Sequence, residues 1–301
     1  MTTPGLPSRG RSWLIAARPR TLPAAVAPVL VGTALAIHAA SFRPLAVVAA
    51  LFAALMIQIG TNFANDLGDF RRGADSLGRV GPTRVTTAGL LTERQVARGM
   101  WAVFALAAAS GLYLIALAGW PVALIGIASI VAGLAYTAGP LPLGYYGLGD
   151  LAVFVFFGPV AVMGTFYVQA LRATPLALAA SLPVGALVTA ILVVNNLRDA
   201  STDRLAGKRT LAVLLGRRGA QTEYMALTLA AYVTSPFLWR AFHLSPWILL
   251  PLLTLPAAYR MVRMVLTAHG PELNRALAGA AQLAALYAAL FSVGLVLSPT
   301  L

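Results

Sequence analysis

Residues 44–75 read PLAVVAALFAALMIQIGTNFANDLGDFRRGAD. Positions 44–65 carry no charge, and then Asp66, Asp69 and Asp75 follow in quick succession. About 20 apolar residues suffice to cross the hydrocarbon of a bilayer. The stretch therefore predicts a membrane-spanning helix with carboxylates gathered at one end.

The remainder of the chain fits that reading. Its 301 residues are 59% hydrophobic and 10% charged, whereas a soluble domain carries about 25% charged residues. Uncharged runs occupy 21–42, 44–65, 99–149, 151–171, 173–197, 224–239, 241–259 and 276–301. The run at 99–149 is too long for one helix. It divides at AGWP (118–121) and ends in the loop AGPLPLGYYGLG (138–149), because Gly and Pro punctuate helices. The expectation is an all-α polytopic membrane protein with nine spans, one transmembrane unit over 1–301.

Charge sets the orientation. With a cytoplasmic N-terminus, 19 of the 22 basic residues fall in cytoplasmic segments, leaving only Arg43, Arg172 and Arg240 outside. Cytoplasmic loops carry excess Lys and Arg, so nine spans with the N-terminus inside is self-consistent. The same placement accounts for most of the +13 net charge and removes it as evidence for nucleic-acid binding. Cysteine is absent, which excludes disulfides and thiolate metal sites. No obligate protein partner is evident.

Five of the nine acidic residues stand in two places: Asp66, Asp69 and Asp75 within 62–75, and Asp199 and Asp203 within 195–210. If helix persists through both ends, Asn62, Asp66 and Asp69 sit at i, i+4, i+7, and Asn195, Asp199 and Asp203 at i, i+4, i+8. Such spacings align side chains along one helix face. An Asp facing lipid at mid-helix costs about 2.5–3.5 kcal/mol, so these acids must face a hydrated cavity or hold cations. Acidic oxygens with amide support suit Mg²⁺, which takes one or two carboxylates together with phosphate oxygens and water. Arg71, Arg72, Arg79, Arg84, Arg198, Arg204, Lys208 and Arg209 surround them. Carboxylates for a metal, mixed with basic side chains, make a diphosphate site.

Plainer readings stand beside this one. A single Asp–Arg cluster at a helix end is usually a solvated loop; two matched clusters argue against it. Asn62 and Asn195 could be helix–helix hydrogen-bonding groups, and some of the basic residues serve topology. Intramembrane carboxylates on paired helices also describe a cation-coupled transporter, although the neighbouring arginines would repel a cation.

With NDLGD (65–69) and RDASTD (198–203), the sequence resembles the UbiA superfamily of intramembrane aromatic prenyltransferases. Within it, ARPRTLPAAVAPVLVG (17–32), GPTRV (81–85), LGDLAVFVFFGPVAVMGTFYVQAL (148–171) and NNLRDASTDRLAGKRTLAVLLG (195–216) are most similar to the branch acting on 1,4-dihydroxy-2-naphthoate. The likeness runs from about residue 12 to 218 and thins over the last three spans. It implies nine helices around a central cavity. It also implies that Asp66, Asp69, Asp199 and Asp203 are the catalytic acids that hold Mg²⁺ on a polyprenyl diphosphate, with Asn62, Asp75 and Asn195 completing the shell. Relatives commonly carry Lys-Pro where this chain has Leu141-Pro142, and Arg198 or Arg20 could replace that basic contact.

The implied reaction forms demethylmenaquinol, in menaquinone biosynthesis, with loss of CO₂ and diphosphate. Arg84, Lys208 and Arg209 are the first candidates for the diphosphate, followed by Arg71, Arg72 and Arg79. Tyr136 is the candidate aromatic lining of the cavity. Arg20, with Arg18, could hold the acceptor's carboxylate. The donor machinery would equally serve 4-hydroxybenzoate or homogentisate.

Overall fold

The computed structural model describes residues 7–73, 81 and 83–298, whose regular structure is helical, with no strand among them. In chain order the helices are α1 (Arg9–Ala17), α2 (Leu22–His38), α3 (Pro44–Arg71), α4 (Glu93–Ala118), α5 (Trp120–Ala135), α6 (Gly149–Val155), α7 (Ala161–Ala170), α8 (Pro175–Leu205), α9 (Leu211–Ala241), α10 (Leu255–Thr267) and α11 (Leu273–Val296). A π-helical turn, Phe156–Val160, joins α6 to α7. It contains Pro159, which has no N–H to give to a regular ladder.

Seven described segments are long and apolar enough to cross a membrane: Arg9–His38, Pro44–Arg71, Glu93–Ala118, Gly149–Ala170, Pro175–Leu205, Pro246–Thr267 and Gly270–Val296. Large apolar side chains such as Leu45, Val48, Leu112, Trp120 and Leu229 are exposed on the outside. In water such a coat would be an aggregation hazard; in a bilayer it is the lipid-facing surface. The protein is an integral membrane protein. Two rods differ from the rest. α5 has 16 residues, and α9 breaks at Gly216 (φ 69°, ψ −177°), resumes at Arg217 and carries Arg218 and Glu223 ahead of the uncharged run at 224–239.

Local signals set the boundaries. Thr92 and Gln95 form a capping box that opens α4. Thr174 and Thr210 accept from Ala177 N–H and Val213 N–H to start α8 and α9. Each supplies an acceptor to a helix end that would otherwise have orphaned donors.

The helices pack in four zones, one of which joins α8, α9, α10 and α11 around Val194, Tyr224 and Val265. α2, α7, α8, α9 and α11 share the main core, around Val31, Phe166, Val184, Leu238, Tyr287 and Phe291. Tyr287 donates to Ala231 O at 2.6 Å, locking α11 to α9. Gly158 and Gly185 let the π-helical turn press on α8: a Cβ on Gly185 would lie 2.8 Å from Phe154 O. At one end α1, α3, α4 and residues 85–91 bury Phe63, Leu67, Val85, Leu91 and Val96. At the other end Ala46, Leu114, Ala118, Val122 and Val168 close together.

Candidate active site

A cavity of about 1230 Å³ lies between α2, α3, α4, α5, α7, α8 and α11. Along α3 its lining runs from Asp69 to Ala50. At 1.5 Å per residue that is about 28 Å, close to the roughly 30 Å hydrocarbon thickness of a bilayer. One end is polar, with Asn65, Asp69, Arg84, Asn195, Asp199, Asp203, Lys208 and Asn274 in its wall. The other is apolar, lined by small or branched residues such as Ala53, Gly111, Val122, Gly126 and Gly164.

Both acid-bearing helices continue past their apolar runs, α3 to Arg71 and α8 to Leu205. That continuation stacks Asn195, Asp199 and Asp203 along α8, all three in the cavity wall. Both helices then end on a left-handed glycine, Gly73 (φ 63°) and Gly207 (φ 73°). At the end of α8 the pattern is a Schellman motif: Gly207 N–H donates to Arg204 O at 3.2 Å, and Lys208 N–H to Asp203 O at 2.8 Å. The reversal turns Lys208 back over its own helix. Its Nζ reaches Asp69 Oδ1 at 2.9 Å and stands 3.9 Å from Asp203 Oδ1. The two acidic segments, distant in sequence, thus meet across one ammonium group.

Asp69 is the hub. It is 1% exposed, and its carboxylate also accepts from the Arg84 guanidinium and, at 2.8 Å, from Tyr145 O–H. Asp199 is bound by Arg198, whose Nε and Nη2 donate to its two oxygens at 2.7 Å each. Arg198 also donates to Asn195 Oδ1 at 2.8 Å and Asn274 Oδ1 at 3.0 Å. A bidentate guanidinium–carboxylate pair fixes orientation as well as charge.

Asp66 and Asn62 are oriented differently from the ladder the spacing suggested. Asp66 accepts from Val85 N–H and Thr86 N–H at 3.1 Å each, and so pins the turn that carries Arg84. Asn62 donates to Ala17 O at 2.9 Å and Thr21 Oγ1 at 3.0 Å, tying α3 to the break between α1 and α2. Neither is in the cavity wall. Three residues rotate a helix by about 300°, so Asp66 and Asp69 point about 60° apart. One carboxylate faces the chamber while the other faces the loop. The amide that shares the chamber with Asp69 is Asn65, at i, i+4, a spacing visible in the sequence. Tyr145 also contributes more than its place in a loop suggested.

The other candidates separate clearly. Arg71 pairs with Glu93 at 2.6 Å on the surface. Arg72 donates to Thr137 O at 3.2 Å and Gly139 O at 2.6 Å, with its guanidinium carbon 5.1 Å from the Tyr145 ring centre. Arg209 is exposed and lies outside the chamber wall. Tyr136 lines the chamber, as do Arg18 and Arg20 at its α1–α2 side. Asp75 and Arg79 lie outside the described residues.

The donor set tests the fit of a divalent ion. Asp69 and Asp203 converge on one cation, the Lys208 ammonium, with all-oxygen chemistry around it. Among the described residues no three acids or histidines form a ready-made metal cage. Two carboxylates completed by phosphate oxygens and water suit Mg²⁺, so the residues fit that ion.

An apolar intramembrane chamber with carboxylates and fixed guanidinium groups at one end defines a membrane-embedded site for an anionic, lipid-tailed molecule. The chain belongs to the UbiA prenyltransferase family, whose model matches residues 25–286. It is 40% identical over 284 residues to a 1,4-dihydroxy-2-naphthoate octaprenyltransferase of Escherichia coli, covering 91% of this chain and 92% of that one. It is 44% identical over 261 residues to the enzyme of the same name from Mycobacterium tuberculosis, covering 86% and 87%. A UbiA homologue from Archaeoglobus fulgidus, solved with DMAPP and Mg²⁺, shares the fold with a TM-score of 0.69 at 17% identity, over 95% of this chain and 99% of that one.

Proposed function

We propose that this protein transfers a polyprenyl group from its diphosphate to 1,4-dihydroxy-2-naphthoate, releasing diphosphate and CO₂ and giving demethylmenaquinol for menaquinone biosynthesis. The observation that carries this reading is the meeting of Asp69 and Asp203 on Lys208 at the head of an apolar chamber. A charged head fits the polar end and a polyprenyl tail fits the remainder. Relatives bearing that enzymatic name match nearly the whole chain. The proposal includes nine spans, with α5 and α9 added to the seven segments above. It places the N-terminus and the polar end on the cytoplasmic side, where the basic segments lie.

The chemistry is electrophilic substitution. The C1–O bond of the donor breaks and its electron pair leaves with diphosphate. A C–C bond then forms from prenyl C1 to the ring carbon that bears the carboxylate. The electrons of the C–CO₂⁻ bond return to the ring as CO₂ departs, so the reaction needs no base at that carbon. Asp69, Asp203 and Asp199, assisted by Asn65 and Asn195, would hold Mg²⁺, which when bound supplies positive charge to the departing oxygens. Arg84 and Lys208 aim fixed charge at the same place; such groups do not have to reorganise as charge develops. Asp66 holds the Arg84 turn in position. The apolar walls keep water from the allylic cation, and the Tyr136 ring offers it a π face. Arg18 and Arg20, in the chamber wall, would meet the acceptor's carboxylate.

Purified protein with 1,4-dihydroxy-2-naphthoate, a polyprenyl diphosphate and Mg²⁺ should form the prenylated quinol, and Asp69→Ala and Asp199→Ala should abolish it. Product from 4-hydroxybenzoate or homogentisate instead would reassign the acceptor. Full turnover in either variant would remove the shared site.

A further inference from the structure

A second, smaller cavity of about 440 Å³ lies just outside the chamber, with Arg72, Tyr145, Tyr146, Gly207 and Arg209 in its wall. Tyr145 belongs to both cavities. Its hydroxyl donates to Asp69 on the chamber side, and its carbonyl accepts from Arg209 N–H at 3.0 Å. Its ring is flanked by two cations, Lys208 Nζ at 4.9 Å and the Arg72 guanidinium at 5.1 Å from the centre. Lys208, Arg72 and Arg209 therefore form a row of positive charge leading from the reacting end of the chamber past one aromatic ring.

The basic residues along this path are not equally neutralised. Arg84 and Lys208 bind Asp69, Arg198 binds Asp199, and Arg71 binds Glu93. Arg72 is fixed by two backbone carbonyls, which orient it without cancelling its charge. Among the described residues no carboxylate pairs with Arg72 or Arg209. A guanidinium has five N–H donors, and Arg72 uses two of its nitrogens on carbonyls, so donors remain for a ligand. Two uncompensated guanidinium groups on a small polar pocket match a multiply charged oxyanion.

We propose that this pocket is a second anion site, which takes the inorganic diphosphate released by the reaction and passes it to solvent. The proposal rests on the prenyl-transfer reading above. Cleavage of the ester raises the charge of the departing group, and an extra negative charge favours the position with unneutralised cations. The chamber site, by contrast, is already lined with carboxylates. Tyr145 stands between the two sites.

The test uses full-length protein in nanodiscs of zwitterionic lipid, comparing the parent with Arg72→Gln/Arg209→Gln. The expected result is an unchanged single-turnover rate, slower steady-state turnover, and product inhibition by inorganic diphosphate weakened about tenfold or more, the loss of charge-assisted hydrogen bonds. Calorimetric titration with magnesium diphosphate should give two binding events in the parent and one in the variant. A single-turnover rate that falls as far as the steady-state rate would place both arginines on the reacting diphosphate and overturn the proposal. So would identical inhibition and one binding event in both proteins. Nanodiscs with anionic lipid separate the other phosphate source: turnover that follows anionic lipid in the parent alone, with diphosphate inhibition unaltered by the variant, would make the pocket a headgroup site. Two calorimetric events without prenyl transfer would leave the anion site standing and remove the enzymatic reading. Matching thermal unfolding of the two proteins excludes misfolding.

Discussion

Lys208 Nζ lies 2.9 Å from Asp69 Oδ1, joining the residue after a helix-ending glycine to a carboxylate 139 positions earlier in the chain. Both side chains are nearly buried, so the contact is shielded from the screening that makes surface pairs weak. Lys208→Met should lower kcat/KM for the donor by about 10²–10³-fold, the range for removing one fixed charge aimed at a transition state. Steady-state kinetics with varied donor would check it. A loss confined to acceptor KM would contradict this placement.

Gly207 is what turns Lys208 inward. A β-branched residue at φ 73° is strained, by roughly 1–2 kcal/mol for the left-handed region. Gly207→Val should lose donor affinity along with Lys208→Met. A double variant should be little worse than either single one, because both act on the same contact.

Asp66 and Asp69 should separate in their effects. Asp66→Ala leaves two buried N–H donors without an acceptor, at a cost of about 1–3 kcal/mol each, and should lower thermal stability together with activity. Asp69→Asn should abolish turnover with a smaller shift in unfolding temperature. Parallel melting curves and assays would decide. A fully stable but inactive Asp66→Ala protein would make Asp66 a direct ligand.

Arg198→Ala strands Asp199 in a site where it is 2% exposed. Breaking one side of a buried ion pair costs about 3–5 kcal/mol, and thermal unfolding in detergent should show it. Adding Asp199→Asn should recover part of that stability while activity stays absent.

The sequence made the membrane bundle and the meeting of the two acidic segments legible, because charge is scarce and its placement constrained. Rotation about α3 was not legible. Asn62 and Asn65 are both plausible partners for the acids, and Asn65 even has the i, i+4 spacing to Asp69. Choosing between them requires knowing that Ala17 and Thr21 occupy the side Asn62 faces. The use of Asp66 by residues 85 and 86 is a contact of similar kind, formed by a turn without periodicity. Arg209 follows Lys208 directly, yet the turn at Gly207 sends one toward the chamber and leaves the other outside. α9 begins ahead of its uncharged run and breaks at Gly216, features that hydropathy, which registers only the apolar part of a helix, does not mark.

The apolar end of the chamber reaches Leu112 and Ile127, both more than half exposed on the lipid-facing side of the bundle. For the proposed reaction, a tail longer than the chamber would run out between helices into lipid, and the finished quinol would leave by the same gap. Substrate and product would then share one doorway. Traffic through it, as well as bond breaking, would limit how quickly the enzyme works.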